Sequence, residues 1–301
     1  MDIYSKKNQY RGRFAPSPTG PLHFGSLLTA IASYIDAKAN NGKWFLRIDD
    51  ADYYRETKNA KSLILKALEC HGFEWDATPS YQSKSKERYN KIRNYLHKKG
   101  YLYNCNCSRK KLSNNRTGFN GPIYNGCCRD KTINQSNTSR VILTENFIEF
   151  VDRIQGYQSC NLKRDVGDFI VWRRDNIISY HLATVIDDND KRINTVVRGF
   201  DLIRPTFCQL YLQSILDYKS PQYSHIPIAI NKYNKKLSKQ SGAKELNIKS
   251  NTVNLFFGLR ALNQQPPKKL KHETIRNIWQ WAFENWDIQK LVDIKHIKTN
   301  Y

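Results

Sequence analysis

The sequence contains no apolar run approaching the roughly 20 residues that a membrane-spanning helix needs. Its opening, Met1 to Tyr10, is polar and lacks the apolar stretch of a signal peptide. A membrane anchor and secretion are therefore not expected, and a cytoplasmic location is. No fixed-period repeat or low-complexity block interrupts the 301 residues, so the chain reads as an ordinary globular protein. It is long enough to bury a full core as one large domain or one domain with an insert. Neither a Gly-rich dinucleotide fingerprint nor a P-loop occurs. Acidic residues are the scarce charge: 27 Asp and Glu stand against 49 Lys and Arg, a net +22. An excess of that size draws polyanions, which makes nucleic acid the expected partner class.

What is present begins with alternating strand and helix patterns. Arg13-Phe14-Ala15 reads as a short strand ended by the turn-rich Pro16-Ser17-Pro18-Thr19-Gly20-Pro21. Leu27, Leu28, Ile31, Ala32 and Ile35 recur at helical spacing until Asn40-Asn41-Gly42 stops them. Trp44 to Ile48 forms an apolar strand that runs into Asp49, Asp50 and Asp52. A second helix carries Ala60, Leu63, Ile64, Ala67 and Leu68 on one face, with Gly72 past its end, and a third spans about Arg88 to Lys99. Such alternation predicts βαβ units and a parallel sheet. From about Tyr101 to Thr138 the pattern breaks into Cys, Asn, Gly and Lys, as an insert would, and regular elements return from Phe147. Near the end, Ile275, Ile278, Trp279, Ala282, Phe283 and Trp286 form an apolar stripe at helical spacing, which reads as core.

Seven cysteines are present, four of them between Cys105 and Cys128. Without a secretion signal, that clustering points to a metal before a disulfide. Two segments carry phosphate chemistry. Pro16 to Ser26 lies between a strand and a helix, where free N–H groups and a partial positive charge suit an anion. Gly20 and Gly25 would let backbone approach the ligand, and His23 can hydrogen-bond a phosphate. Far downstream, Lys235-Lys236-Leu237-Ser238-Lys239-Gln240 fits a loop that closes on pyrophosphate. Taken singly, these are equally a turn with a satisfied histidine and a solvated basic face.

Together they resemble the class I aminoacyl-tRNA synthetases. His23-Phe24-Gly25-Ser26 is similar to the HIGH signature, and Lys236-Leu237-Ser238-Lys239-Gln240 to KMSKS. Arg13 to Gly20 resembles the opening of glutamyl-tRNA synthetases, as do Arg47-Ile48-Asp49-Asp50-Ala51-Asp52 with Arg55-Glu56, and Tyr81-Gln82-Ser83. Tyr180-His181-Leu182-Ala183 with Asp187-Asp188, and Val197-Arg198-Gly199 with Asp201-Leu202, continue the series in the family's order. The stretch after Gln240 is too short for the helical anticodon-binding region of a full glutamyl-tRNA synthetase, which narrows the resemblance to the truncated glutamyl-Q tRNA(Asp) synthetase family.

That resemblance implies an α/β fold: a class I catalytic domain with a Rossmann-like parallel sheet. Residues 1–100 would form its first half, 101–145 a zinc-bearing insert, 146–240 the second half with the KMSKS-like loop, and 241–301 a short helical tail. It implies a ligase that activates L-glutamate with ATP and Mg²⁺ as the adenylate, without tRNA, and passes it to the queuosine of tRNA(Asp). A monomer is expected. The catalytic residues would be His23, Lys236 and Lys239, with Gly25 and Ser26 also at ATP. Glutamate would meet Arg13, Ser17, Asp49, Tyr180 and Arg198; each arginine could grip a carboxylate with two bonds, and Asp49 could accept from the ammonium. The family usually has Glu at the position of Asp49. One structural zinc ion would be held by Cys105, Cys107, Tyr124 and Cys128, although Cys127 is an alternative to Cys128. A short glutamyl-tRNA synthetase charging a tRNA 3′ end, a non-catalytic tRNA-binding paralogue and a small-molecule nucleotidyltransferase are the rival readings. No aromatic platform for RNA is legible in the sequence.

Overall fold

The computed structural model describes residues 9–119, 121–133, 138–145, 147–231, 233–234, 236–237 and 245–299. Its first half alternates as β1 (Arg11–Phe14), α1 (Phe24–Ala39), β2 (Lys43–Ile48), α2 (Ala60–Cys70), β3 (Ser80–Tyr81) and α3 (Lys86–Lys98). Next come β4 (Leu102–Asn104), α4 (Arg109–Leu112), β5 (Thr117–Gly118), β6 (Gly121–Pro122), β7 (Ser139–Val141), β8 (Phe147–Asp152), β9 (Gly156–Asn161), α5 (Leu162–Asp165) and β10 (Ile170–Trp172). The rest comprises α6 (Tyr180–Asp190), β11 (Thr195–Gly199), α7 (Ile203–Ile215), β12 (Gln222–Ile226), β13 (Ile228–Ile230), α8 (Asn251–Ala261), α9 (Ile275–Asn285) and β14 (His296–Lys298).

The expected parallel sheet is present. β2 pairs in parallel with β1 on one side and β3 on the other, and β11 pairs in parallel with β12. The two sets meet where β1 lies beside β11, with the Asn194 N–H donating to the Arg11 carbonyl at 3.1 Å. Helices α1, α2 and α7 make the crossovers, as parallel neighbours require. α1 is buried on most of its circumference because it sits between the sheet and the C-terminal helices. Asn40, Asn41 at φ 52° and Gly42 end it as anticipated. Gly72, at φ +71°, closes α2; a Cβ there would lie 2.5 Å from Ile275, so α9 packs against the glycine itself.

The apolar stripe of α9 is core: Ile278, Trp279 and Ala282 are buried, and Trp279 meets Tyr34 edge-on at 4.9 Å. The tail is not only helical, since β14 returns to pair in parallel with β13. A second apolar core gathers α3, α6, α7 and the antiparallel sheet β10-β7-β4. That sheet joins β4 and β7 to β10, so it spans position 145. Hairpin β8–β9 packs its inner face on α7 through Phe150 and Phe207, 5.3 Å apart. Among the described residues no helix is long and apolar enough to cross a membrane.

Candidate active site

In open α/β sheets ligands bind beyond the carboxyl ends of the strands, where the strand order reverses. Here that place lies between β1 and β11, and a cavity of about 200 Å³ opens there. Its walls bring together Arg13, His23, Gly25, Ser26, Tyr180, Arg198 and Lys236, residues as far apart as 13 and 236. Ser17, which is exposed, and Asp49 fall outside this lining. Lys239, with Ser238 and Gln240, lies outside the described residues.

Each wall has a local cause. His23 is the N-cap of α1, and its Nδ1 accepts the Ser26 N–H at 3.3 Å. That bond places the ring proton on Nε2, which lies 3.0 Å from the Ser26 hydroxyl and is a donor for an incoming oxyanion. A Cβ on Gly25 would meet the Leu237 carbonyl at 3.2 Å, so the helix start and the distant basic segment approach closely. Lys236 is bridged to Ile230, and its Nζ rests 2.6 Å from Asp201.

Beneath the cavity lies a buried ionic cluster. Arg13 Nε donates to both oxygens of Asp188, at 3.1 and 3.2 Å. Arg47 Nη1 reaches the same carboxylate at 2.6 Å, while its Nε donates to Asp49 at 2.6 Å and stands 3.7 Å from Asp187. Asp187 also accepts from Gln82 at 2.7 Å and Tyr89 at 2.9 Å. Three carboxylates thus share two guanidiniums, and each side chain is at most 10% exposed. Burial pushes Asp187 up to about 6 against the pull of Arg47, and burial likewise raises Asp49. Burial would also raise Asp188, but Arg13 and Arg47 outweigh it and hold the group below the ordinary carboxylate range. With all three acids ionised the cluster is one cation short.

Arg198 is fixed from behind. Its Nε donates to His225 Nε2 at 3.1 Å and its Nη2 to the Thr206 hydroxyl at 2.7 Å, leaving Nη1 beside the Tyr180 hydroxyl at 3.5 Å. The two-bond grip through Nε and Nη2 is therefore already used by the protein. His225 can accept from Arg198 only if its proton sits on Nδ1, and Nδ1 lies 2.6 Å from Asp152. Burial, opposed by that bond, keeps this histidine neutral with a pKa near 4. Sequence reasoning did not single out Asp152, His225 or Thr206, and it read Arg47 only as one letter of a motif. A charge inside the apolar strand Trp44 to Ile48 was the available signal for Arg47.

The cysteine cluster forms a second centre. Sγ atoms of Cys105, Cys107 and Cys128 all lie within 4.8 Å of one another, with Cys107 and Cys128 at 3.6 Å. The Tyr124 hydroxyl is 3.4 Å from Cys105 and 3.6 Å from Cys107. Ligands about 2.3 Å from a tetrahedral zinc ion are about 3.8 Å apart, so this donor set fits one. Cys127 is 3.5 Å from Cys107 and 3.4 Å from Tyr124 but is not part of the mutual trio. Arg140 donates to Cys105 at 3.3 Å and lies over the Tyr124 ring.

Residues 9–254 match the family described as tRNA synthetases class I (E and Q), catalytic domain. The chain is 42% identical over 282 residues to the Glutamyl-Q tRNA(Asp) synthetase of Dechloromonas aromatica, covering 92% of this chain and 94% of that one. It is 42% identical over 284 residues to the enzyme of the same name from Pseudomonas fluorescens, covering 94% of each. Its fold is similar to the crystal structure of glutamate-tRNA synthetase from Elizabethkingia anophelis, with a TM-score of 0.79 at 21% identity. That match covers 97% of this chain and 68% of the other.

Proposed function

Since the chain belongs to the class I tRNA synthetases with the E- and Q-type catalytic domain, we propose that it is a ligase that activates L-glutamate with ATP. It forms the glutamyl adenylate without tRNA and transfers the glutamate to the queuosine at the anticodon wobble position of tRNA(Asp). The similarity to glutamyl-Q tRNA(Asp) synthetases, which extends over nearly the full length of both chains, carries this reading.

The cavity supplies the parts that adenylation asks for. The substrate α-carboxylate attacks the α-phosphate of ATP and pyrophosphate leaves, so catalysis consists of positioning and charge stabilisation. His23 Nε2–H and the first N–H groups of α1 face the phosphates, which carry Mg²⁺. Lys236 exchanges Asp201 for pyrophosphate as charge develops, and Lys239 is assigned to the same task. Arg13, through its Nη groups, and Arg198, through Nη1 with the Tyr180 hydroxyl, hold the two carboxylates. The glutamate ammonium supplies the missing cation of the buried cluster, by way of Asp49. Ser17 is assigned to the glutamate site by the same family resemblance. Cys105, Cys107, Tyr124 and Cys128 would hold a zinc ion that ties down a segment poor in apolar residues.

The test offers labelled glutamate and ATP with two tRNA pools, one containing queuosine and one lacking it. Label on the queuosine pool alone is expected. Label on both pools would instead mean charging of the 3′ end, and label on neither would rule out transfer altogether.

A further inference from the structure

Beside the adenylation cavity lies a second one of about 660 Å³, lined among others by Arg116, Phe119, Ser159, Arg204 and Phe207. The two are adjacent through one turn of chain: Leu202 lines the first, and Arg204, in the opening turn of α7, lines the second. Arg116 and Arg204 are exposed. Arg116 donates to the Arg164 carbonyl, and the Arg204 guanidinium stands 5.9 Å from the centre of the Phe119 ring. Asp165, an acid of the same lining, has both oxygens taken by Arg164 at 2.7 and 3.0 Å, so it does not neutralise these arginines.

Ser159 also belongs to the outer face of the β8–β9 hairpin, which continues the cavity across the surface. Register pairs Val151 with Tyr157 and Glu149 with Ser159, and Phe147 shares that face. Phe147, Val151 and Tyr157 are 61%, 74% and 63% exposed. Glu149 accepts from the Tyr157 hydroxyl at 2.6 Å. Bare aromatic rings beside two exposed arginines are the elements that hold unpaired nucleotides, by stacking on the bases and pairing with the phosphates. The net charge of +22 complements a polyanion and not an ordinary protein surface.

We propose that this cavity and the outer face of the β8–β9 hairpin form the docking surface for the single-stranded loop of the substrate RNA, seating nucleotides that flank the one receiving glutamate. The proposal rests on the reading that RNA is the acceptor. A base-paired stem would leave the rings without faces to stack on, whereas an anticodon loop offers unstacked bases within one or two nucleotides of the reacting group.

Arg204→Glu and Phe119→Ala, with Arg204→Gln as a milder variant, separate the two half-reactions. Glutamate-dependent ATP–pyrophosphate exchange needs no RNA and should stay within about twofold of wild type. Transfer to queuosine-containing tRNA should show KM for tRNA raised tenfold or more in Arg204→Glu. Binding of a queuosine-bearing anticodon stem-loop should weaken in parallel. In Arg204→Gln the slope of log affinity against log salt should shrink by about 0.7, the share of one single-strand phosphate contact. Phe147→Ala with Tyr157→Ala should raise KM for tRNA severalfold. Unchanged tRNA KM and stem-loop affinity would overturn the assignment, as would equal loss of exchange and transfer. Concentration-dependent dimers abolished by Phe147→Ala would overturn it too, by showing that a second copy covers the face. If wild type makes adenylate but transfers to no tRNA, the function itself is misread, a result distinct from any of these.

Discussion

Removing Asp188 tests the buried cluster most directly. In Asp188→Ala, Arg47 keeps Asp49 at 2.6 Å, but Arg13, 5% exposed, loses the carboxylate that holds its Nε. Breaking one side of a buried pair in this way costs about 3–5 kcal/mol, because the Arg13 guanidinium stays desolvated without the carboxylate that offset its burial. For a chain of this size each kcal/mol lowers the midpoint by roughly 1.6 °C, so a drop of about 5–8 °C is expected. Asp188→Asn keeps the shape and one acceptor and should fall between the variant and wild type. Urea denaturation followed by fluorescence reads the free energy, and pyrophosphate exchange reads the glutamate KM, which should rise as Arg13 loses its orientation. A destabilisation below about 1 kcal/mol would refute the reasoning, since that is the scale of a solvent-screened pair.

Two further outcomes follow from other groups. Asp187 titrates near 6 in the folded chain and near 3.9 when unfolded. Between those values the native state holds a proton that the unfolded state has released, so this group's contribution to stability falls as pH rises from 4 to 6. Asp187→Asn should therefore gain stability relative to wild type across that window, by at most about 3 kcal/mol; a difference that does not vary with pH would show that Asp187 titrates normally. Metal analysis should find one zinc ion per chain, and chelation should lower the melting temperature. Cys128→Ser should lose the metal while Cys127→Ser retains it, and the reverse pattern would exchange the two cysteines.

Much of this protein is written in runs short enough to be read locally. Helix α1 and its Asn-Asn-Gly stop, the strand at Trp44 to Ile48 and the stripe of α9 depend on neighbours within a turn or a pleat. The turn–helix and Lys-Leu-Ser segments, and the cysteine spacing, are likewise contiguous. They were sufficient to reach the family and the parallel sheet, and they carry the residues on which the proposed chemistry rests. Packing alone decided what lies far apart along the chain. Arg13 finds Asp188 after 175 residues, and Arg198 is aimed by His225 from the next strand and Asp152 from the hairpin. Which edge of each guanidinium remains open therefore depends on partners that no local pattern specifies. The aromatic face for RNA was invisible for the same reason: Phe119, Phe147, Tyr157 and Arg204 become one surface only once the hairpin lies against α7.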